Sequence, residues 1–255
     1  FDQAGDESRA AELAQAANEL RRRFQQQFWQ PQADNYALAL QGAVGEKCPA
    51  VVDASNQGQA LWGGIVAPEH AAAVRDTLMD PAKLFAGWGI RTLSRGAVAY
   101  NPFDYQVGSI WPHDNALIAV GLRAYNFDDD ALRIFTGLYE AATRFEYYRL
   151  PELFAGFGRA DYRTPVRYPV ACNPQAWAAG ALPNLLQAVL GLVPDAFANR
   201  LHVIRPCLPD WLDWVTISGL RVGQGRVDLR YERSGDTTLT ATVRKEGAIQ
   251  VAIEY

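Results

Sequence analysis

A chain of 255 residues, about half of them apolar, is long enough for one large domain or two small ones with a sizeable core. Its net charge of −4 comes from acidic and basic residues that are interspersed, leaving no basic stripe and no acidic tail. Nucleic acid and an anionic membrane surface are therefore not expected as partners. Seven Trp, eleven Tyr and eleven Phe suit sugar rings, but they suit helical cores equally.

The first predicted element runs from Ser8 to Trp29. There Leu13, Ala17, Leu20, Phe24 and Phe28 recur three or four residues apart, while Arg21 to Arg23 and Gln25 to Gln27 take other faces. This is the period of an amphipathic helix. Further helices are expected at 55–65, at 68–78 with Pro68 in the first turn, at 112–125 behind Pro112, and at 128–146 with Asp128 as N-cap. A sixth is expected from Asn173 as N-cap and Pro174 to Gly191, bent by Pro183. Two stretches rich in Gly, Pro and aromatic residues, 80–111 and 147–172, are longer than a structureless connection usually is, which points to functional loops.

After residue 199 the apolar pattern alternates, at 201–204, 214–217, 227–231, 239–243 and 249–253. Gly223-Gln224-Gly225, Ser234-Gly235-Asp236 and Glu246-Gly247 mark turns between these segments. The expected class is mainly α, with residues 1–198 as paired helices and 199–255 as a small antiparallel β region.

Cys48, Cys172 and Cys207 are odd in number and far apart, so neither a disulfide scaffold nor a zinc site is expected. A reducing, cytoplasmic setting fits. No apolar run approaches the ~18 residues that span a bilayer. The three histidines lack ligand spacing, and no P-loop, GxGxxG or GxSxG occurs; no cofactor and no metal are expected. The chain begins at Phe1 rather than Met, so a processed or truncated piece is one reading.

Three segments could carry chemistry. Glu152, directly after Pro151 in a long loop, is a plausible member of the carboxyl pair that glycosidic hydrolysis commonly needs, or else a solvated loop glutamate. Trp111, His113 and Asp114 stand at a predicted helix start, where an anion or sugar hydroxyls are favoured; Asp114 could equally just complement the helix dipole. Trp88 between Gly87 and Gly89, beside Arg91, offers an aromatic face and a five-donor guanidinium, or else a core tryptophan and a surface arginine.

Taken together, five motifs recur in a fixed order: Gly87-Trp88-Gly89-Ile90-Arg91-Thr92-Leu93-Ser94, Tyr100-Asn101-Pro102, Gly108-Ser109-Ile110-Trp111-Pro112-His113-Asp114-Asn115-Ala116, Leu150-Pro151-Glu152-Leu153, and Tyr168-Pro169-Val170-Ala171-Cys172-Asn173-Pro174-Gln175-Ala176-Trp177. Over roughly residues 8–215 this series resembles the C-terminal glucosidase domain of glycogen debranching enzymes and their bacterial amylo-α-1,6-glucosidase relatives. The resemblance implies an (α/α)6 toroid with a funnel-shaped site, an inverting mechanism and an α-glucan or oligosaccharide partner. Glu152 would be the general base, and Trp88, Arg91, Trp111, His113, Asp114, Gln175 and Trp177 would line the sugar pocket. In that family the general acid lies upstream in a Gly-Trp-x-Asp-Ser segment that does not occur here. With about six helices where a toroid has twelve, the missing N-terminal half of the same enzyme is the expected partner. Alternatives are a non-catalytic carbohydrate-binding toroid, a toroidal glycosidase acting on trehalose or mannosyl compounds, and a purely helical scaffold.

Overall fold

The computed structural model describes residues 5–255. Two compact units make up the chain, Phe1–Leu182 and Pro183–Tyr255, and the boundary falls inside a helix at Pro183, whose ring supplies no N–H to the helical ladder.

The first unit opens with α1 (Glu7–Phe28), capped by the Asp6 carboxylate, which accepts from the Arg9 N–H at 3.0 Å. None of its residues is buried. Its last turn is tied down by aromatic contacts: Phe24 stacks on Phe28 at 4.8 Å and on Tyr36 at 4.9 Å. Four short strands follow, β1 (Trp29–Gln30) pairing with β2 (Asn35–Tyr36), and β3 (Ala39–Gln41) with β4 (Cys48–Ala50), both antiparallel. At two or three residues each they are too short to leave an alternating signature in the sequence.

Next come α2 (Asn56–Trp62), a 3₁₀ turn at Pro68–His70 and α3 (Ala71–Met79), then, beyond a long loop, α4 (Pro112–Ala124) and α5 (Asp128–Ala142). The α5 helix ends four residues earlier than its apolar period suggests, and Phe127 rather than Asp128 occupies its N-cap position. Asp128, Asp129 and Asp130 instead crowd the first turn, where the dipole favours them, and Asp130 also receives Arg75 and Arg133. The α4 helix packs against both α2 and α5 around Leu61, Ile118, Leu122, Ile134 and Leu138, all fully buried. Close approach depends on Gly121, where a Cβ would lie 2.5 Å from the Trp62 backbone nitrogen.

The last helix, α6 (Ala176–Val189), starts three residues beyond the expected N-cap Asn173 and leads into the second unit. There β5 (Leu192–Asp195), β6 (Arg200–Ile204), β7 (Trp214–Val222), β8 (Gly225–Ser234), β9 (Thr237–Glu246) and β10 (Gln250–Glu254) form two three-stranded sheets. The β7-β8-β9 meander is antiparallel, with left-handed glycines Gly223 and Gly235 at its turns. In the other sheet β6 lies between β5 and β10, and β10 runs parallel to it. That pairing departs from the expected wholly antiparallel region. It joins strands separated by the whole meander, and no local periodicity encodes such a crossover. Leu201, Val203, Val222, Val227, Leu229 and Tyr231 form the core of this unit. Among the described residues no helix is long and apolar enough to cross a membrane.

The α2–α4 contact yields a paired prediction. Gly121→Ala gains helix propensity but drives a methyl into backbone that cannot yield, so urea denaturation should show a loss of about 1–3 kcal/mol. Gly180→Ala, with nothing within 4 Å of the added methyl, should instead gain about 0.5–1 kcal/mol.

Candidate active site

The long loops of the first unit are laced together by single backbone bridges. Arg91 pairs with Ile110, Ile110 with Phe154, and Phe154 with Arg167, all antiparallel. Ile110 and Phe154 exchange both hydrogen bonds, at 2.9 and 3.0 Å. This ladder sets Trp111, one residue past Ile110, near Glu152, two residues before Phe154. Gly156 is obligatory beside it, because a Cβ there would come within 1.7 Å of the Gly108 carbonyl oxygen.

Glu152 is only 5% exposed. Its Oε1 accepts from the Tyr105 hydroxyl at 2.8 Å and its Oε2 from the Cys172 N–H at 3.2 Å, while its own N–H donates to the Cys172 carbonyl at 3.0 Å. Burial pushes the carboxyl up, but donation from Tyr105, from the amide and thiol of Cys172 and from the Gln175 side chain outweighs it. The group is held below the ordinary glutamate value and is ionised at neutral pH.

Around this carboxylate runs a continuous line of rings. Tyr105 meets Trp111 edge-on at 4.9 Å; Trp111 leads to His113 at 5.8 Å and His113 to Trp177 at 5.1 Å. In the other direction Tyr105 meets Tyr168 at 5.9 Å, Tyr168 meets Phe103 at 6.1 Å, and Phe103 meets Phe157 at 6.2 Å. Phe103, Tyr105 and Trp177 are exposed, so the line is a surface band and not a core seam.

At the start of α4, Asp114 is buried; its Oδ1 accepts from Gln59 at 2.6 Å, whereas its Oδ2 has no partner. The His113 Nδ1 beside it is likewise buried without a partner. Both atoms are shut off from solvent at the start of α4. Asn115 is fully buried and holds the neighbouring loop, accepting from the Ile90 N–H at 2.6 Å and donating to the Ile90 carbonyl at 3.0 Å.

The structure thus brings together Glu152, Trp111, His113, Gln175 and Trp177, while Asp114, next in sequence to His113, is turned to Gln59. The side chains of Trp88 and Arg91 are engaged elsewhere. Trp88 is buried beneath the Arg159 guanidinium, 4.8 Å from its ring centre. Arg91, 1% exposed, donates through Nε to the Gly156 carbonyl at 2.6 Å and through Nη1 to that of Leu84 at 3.3 Å. Tyr105 is a partner of Glu152 that no motif of the sequence includes, and Tyr168 and Cys172 stand in the fifth motif without a role of their own. Among the described residues no cluster of three or more His, Cys, Asp or Glu could hold a metal ion.

The family model of the mannosylglycerate hydrolase MGH1-like glycoside hydrolase domain matches residues 2–155, a span that includes Trp111, Asp114 and Glu152. The chain belongs to this glycoside hydrolase family. Among solved structures, the GH78 family rhamnosidase of Bacillus sp. GL1 is 16% identical with a TM-score of 0.65, covering 98% of this chain and 24% of its own; at that identity the likeness is one of fold. The GH63 mannosylglycerate hydrolase from Thermus thermophilus in complex with glucose is 18% identical, TM-score 0.46, over 62% of this chain and 36% of its own. The neutral trehalase Nth1 from Saccharomyces cerevisiae is 16% identical, TM-score 0.49, over 70% of this chain and 30% of its own. The chain therefore spans about a third or less of the length of these three solved structures. No curated protein matches it.

The ionised state of Glu152 has a consequence for stability. Folding lowers its pKa below the unfolded value, so its contribution is fully present above the ordinary glutamate pKa of about 4.3 and is lost as the pH falls through the folded value. In thermal melts across pH, the difference in stability between the wild type and Glu152→Gln should be widest near neutrality and shrink below pH ~4.

Proposed function

We propose that this chain carries the general-base side of an inverting glycoside hydrolase. The observation that carries the reading is the state of Glu152, a buried carboxylate kept ionised by several donors within an exposed aromatic band. A general acid has to hold a proton at working pH, which calls for a raised pKa; a group whose donors favour the anion is suited to accept one from water. In the proposal Trp111 and Trp177 stack on the sugar, and His113, Asp114 and Gln175 belong to the lining of its pocket. Trp88 and Arg91 contribute as wall and brace of the pocket.

The substrate we assign is an α-linked glucan or oligosaccharide, with amylo-α-1,6-glucosidase activity as in glycogen debranching, on the strength of the five-motif series. A second reading, a mannosyl- or trehalose-type substrate, is favoured by the family match. The general acid would come from an upstream segment completing an (α/α)6 toroid. Support for that comes from α1, which has no buried residue and exposes Leu13 and Leu20. A cytoplasmic setting belongs to the same proposal and is supported by three free cysteines.

In a complete enzyme containing this segment, Glu152→Gln should lower kcat by ~10²–10⁴ while substrate binding survives. Proton NMR of the first turnover should show the β-anomer from an α-glycoside, since inversion leaves room for water between carboxyls ~6.5–9.5 Å apart. Near-normal turnover of the variant, or a first-formed α-anomer, would contradict the base assignment. Rates on matched α-glucosides and α-mannosides separate the two substrate readings. Turnover by the 255-residue chain alone would refute the need for an upstream acid.

A further inference from the structure

We infer that Tyr105 is the positioning residue of the Glu152 carboxylate, fixing its orientation against the aromatic band so that base and stacking surface form one rigid group. The inference rests on the reading of Glu152 as general base.

Tyr105 is 36% exposed, too open to be a space-filling core residue, yet it is held at every point. Its carbonyl accepts from the Ser109 hydroxyl at 2.7 Å and from the Trp111 indole N–H at 3.3 Å, and the same indole N–H donates to Ser109 Oγ at 2.9 Å. Ser109 is fully buried, which fixes one end of this anchor. The turn leading out of Tyr105 is closed by the Asp104 carboxylate, which accepts from the Gln106 N–H at 3.0 Å. The Tyr105 ring then lies between Trp111 and Tyr168.

From this fixed base the phenol donates to one oxygen of Glu152, while the Cys172 amide, from a different loop, donates to the other. Two donors from independent segments leave the carboxylate little freedom to rotate. The phenol is a neutral donor, so it orients the base without taking up its charge. The direction of both pKa shifts agrees: hydrogen bonding to Tyr105 is among the effects that hold Glu152 down, and the hydrogen bond to Glu152 is the largest of those that hold the Tyr105 phenol up.

The test is a pair of reciprocal titrations on the full chain, followed by carbon-13 NMR of labelled glutamate and tyrosine side chains. In Tyr105→Phe the Glu152 midpoint should rise toward the ordinary glutamate value. In Glu152→Gln the Tyr105 phenol should titrate at lower pH than in the wild type. Tyr139→Phe, an exposed tyrosine of α5 outside the band, should leave Glu152 unmoved. If Tyr105→Phe fails to fold, the phenol titration in Glu152→Gln decides alone. An unmoved Glu152 midpoint in a folded Tyr105→Phe chain, or an unmoved phenol in Glu152→Gln, overturns the inference. In the complete enzyme Tyr105→Phe should lower kcat ~10-fold or more, with KM little changed and the acid limb of the pH profile shifted up together with Glu152. A Glu152 midpoint that moves while the acid limb of activity stays put would leave the positioning role standing and remove the base assignment.

Discussion

The exchange of two backbone hydrogen bonds between Ile110 and Phe154 is the constraint on which the site depends. These residues belong to loops separated by two helices, and neither loop has a regular partner of its own. Once they pair, Arg91 and Arg167 dock on either side of them, and Trp111 and Glu152 are carried into the same neighbourhood. The Arg91 guanidinium reinforces the join from below by donating to carbonyls of residues 84 and 156. A buried cation is costly unless its donors find acceptors, and here backbone oxygens take Nε and Nη1. Loop backbone that would otherwise need water is satisfied by the same side chain.

That arrangement sets the electrostatics. Enclosing Glu152 disfavours its charge, and an enclosed carboxyl with no donors would be drawn toward the neutral acid. The loops supply the opposite pull, by converging Tyr105, Cys172 and Gln175 on one carboxylate. Which of the two effects wins decides whether this carboxyl is held as an acid or as an anion. At Asp114 the balance is struck differently: one oxygen is satisfied by Gln59 and the other is buried without a partner. An unmet acceptor in a buried place costs stability, of order 1–3 kcal/mol.

Much of this was legible in the sequence where the physics is local. Each of the six predicted helices lies within a few residues of where its 3.6-residue period and start signals put it, and the meander strands follow their alternation and glycine turns. From its loop position alone Glu152 could equally be a solvated glutamate; its place in the ordered motifs set it apart, and those motifs pointed to a glycoside hydrolase, the class that the family match supports. What stayed hidden was long-range. Nothing in residues 100–105 announces that Tyr105 will meet a glutamate 47 residues away. The parallel β10–β6 pairing and the bridge ladder are likewise contacts between distant segments, each one residue wide or one strand long. Arg91 shows the converse: its position in a motif suggested a sugar ligand, while its packing gives Nε and Nη1 to the chain itself.

Whether a sugar binds the aromatic band beside Glu152 can be read from nitrogen-15 NMR of the tryptophan indoles of this chain during titration with glucosyl and mannosyl α-glycosides. Saturable shifts are expected at the Trp111 and Trp177 indoles, with Trp62 and Trp214, exposed but outside the band, unmoved. Saturable shifts confined to Trp62 or Trp214, or no indole shift with any of the sugars, would contradict binding at the band.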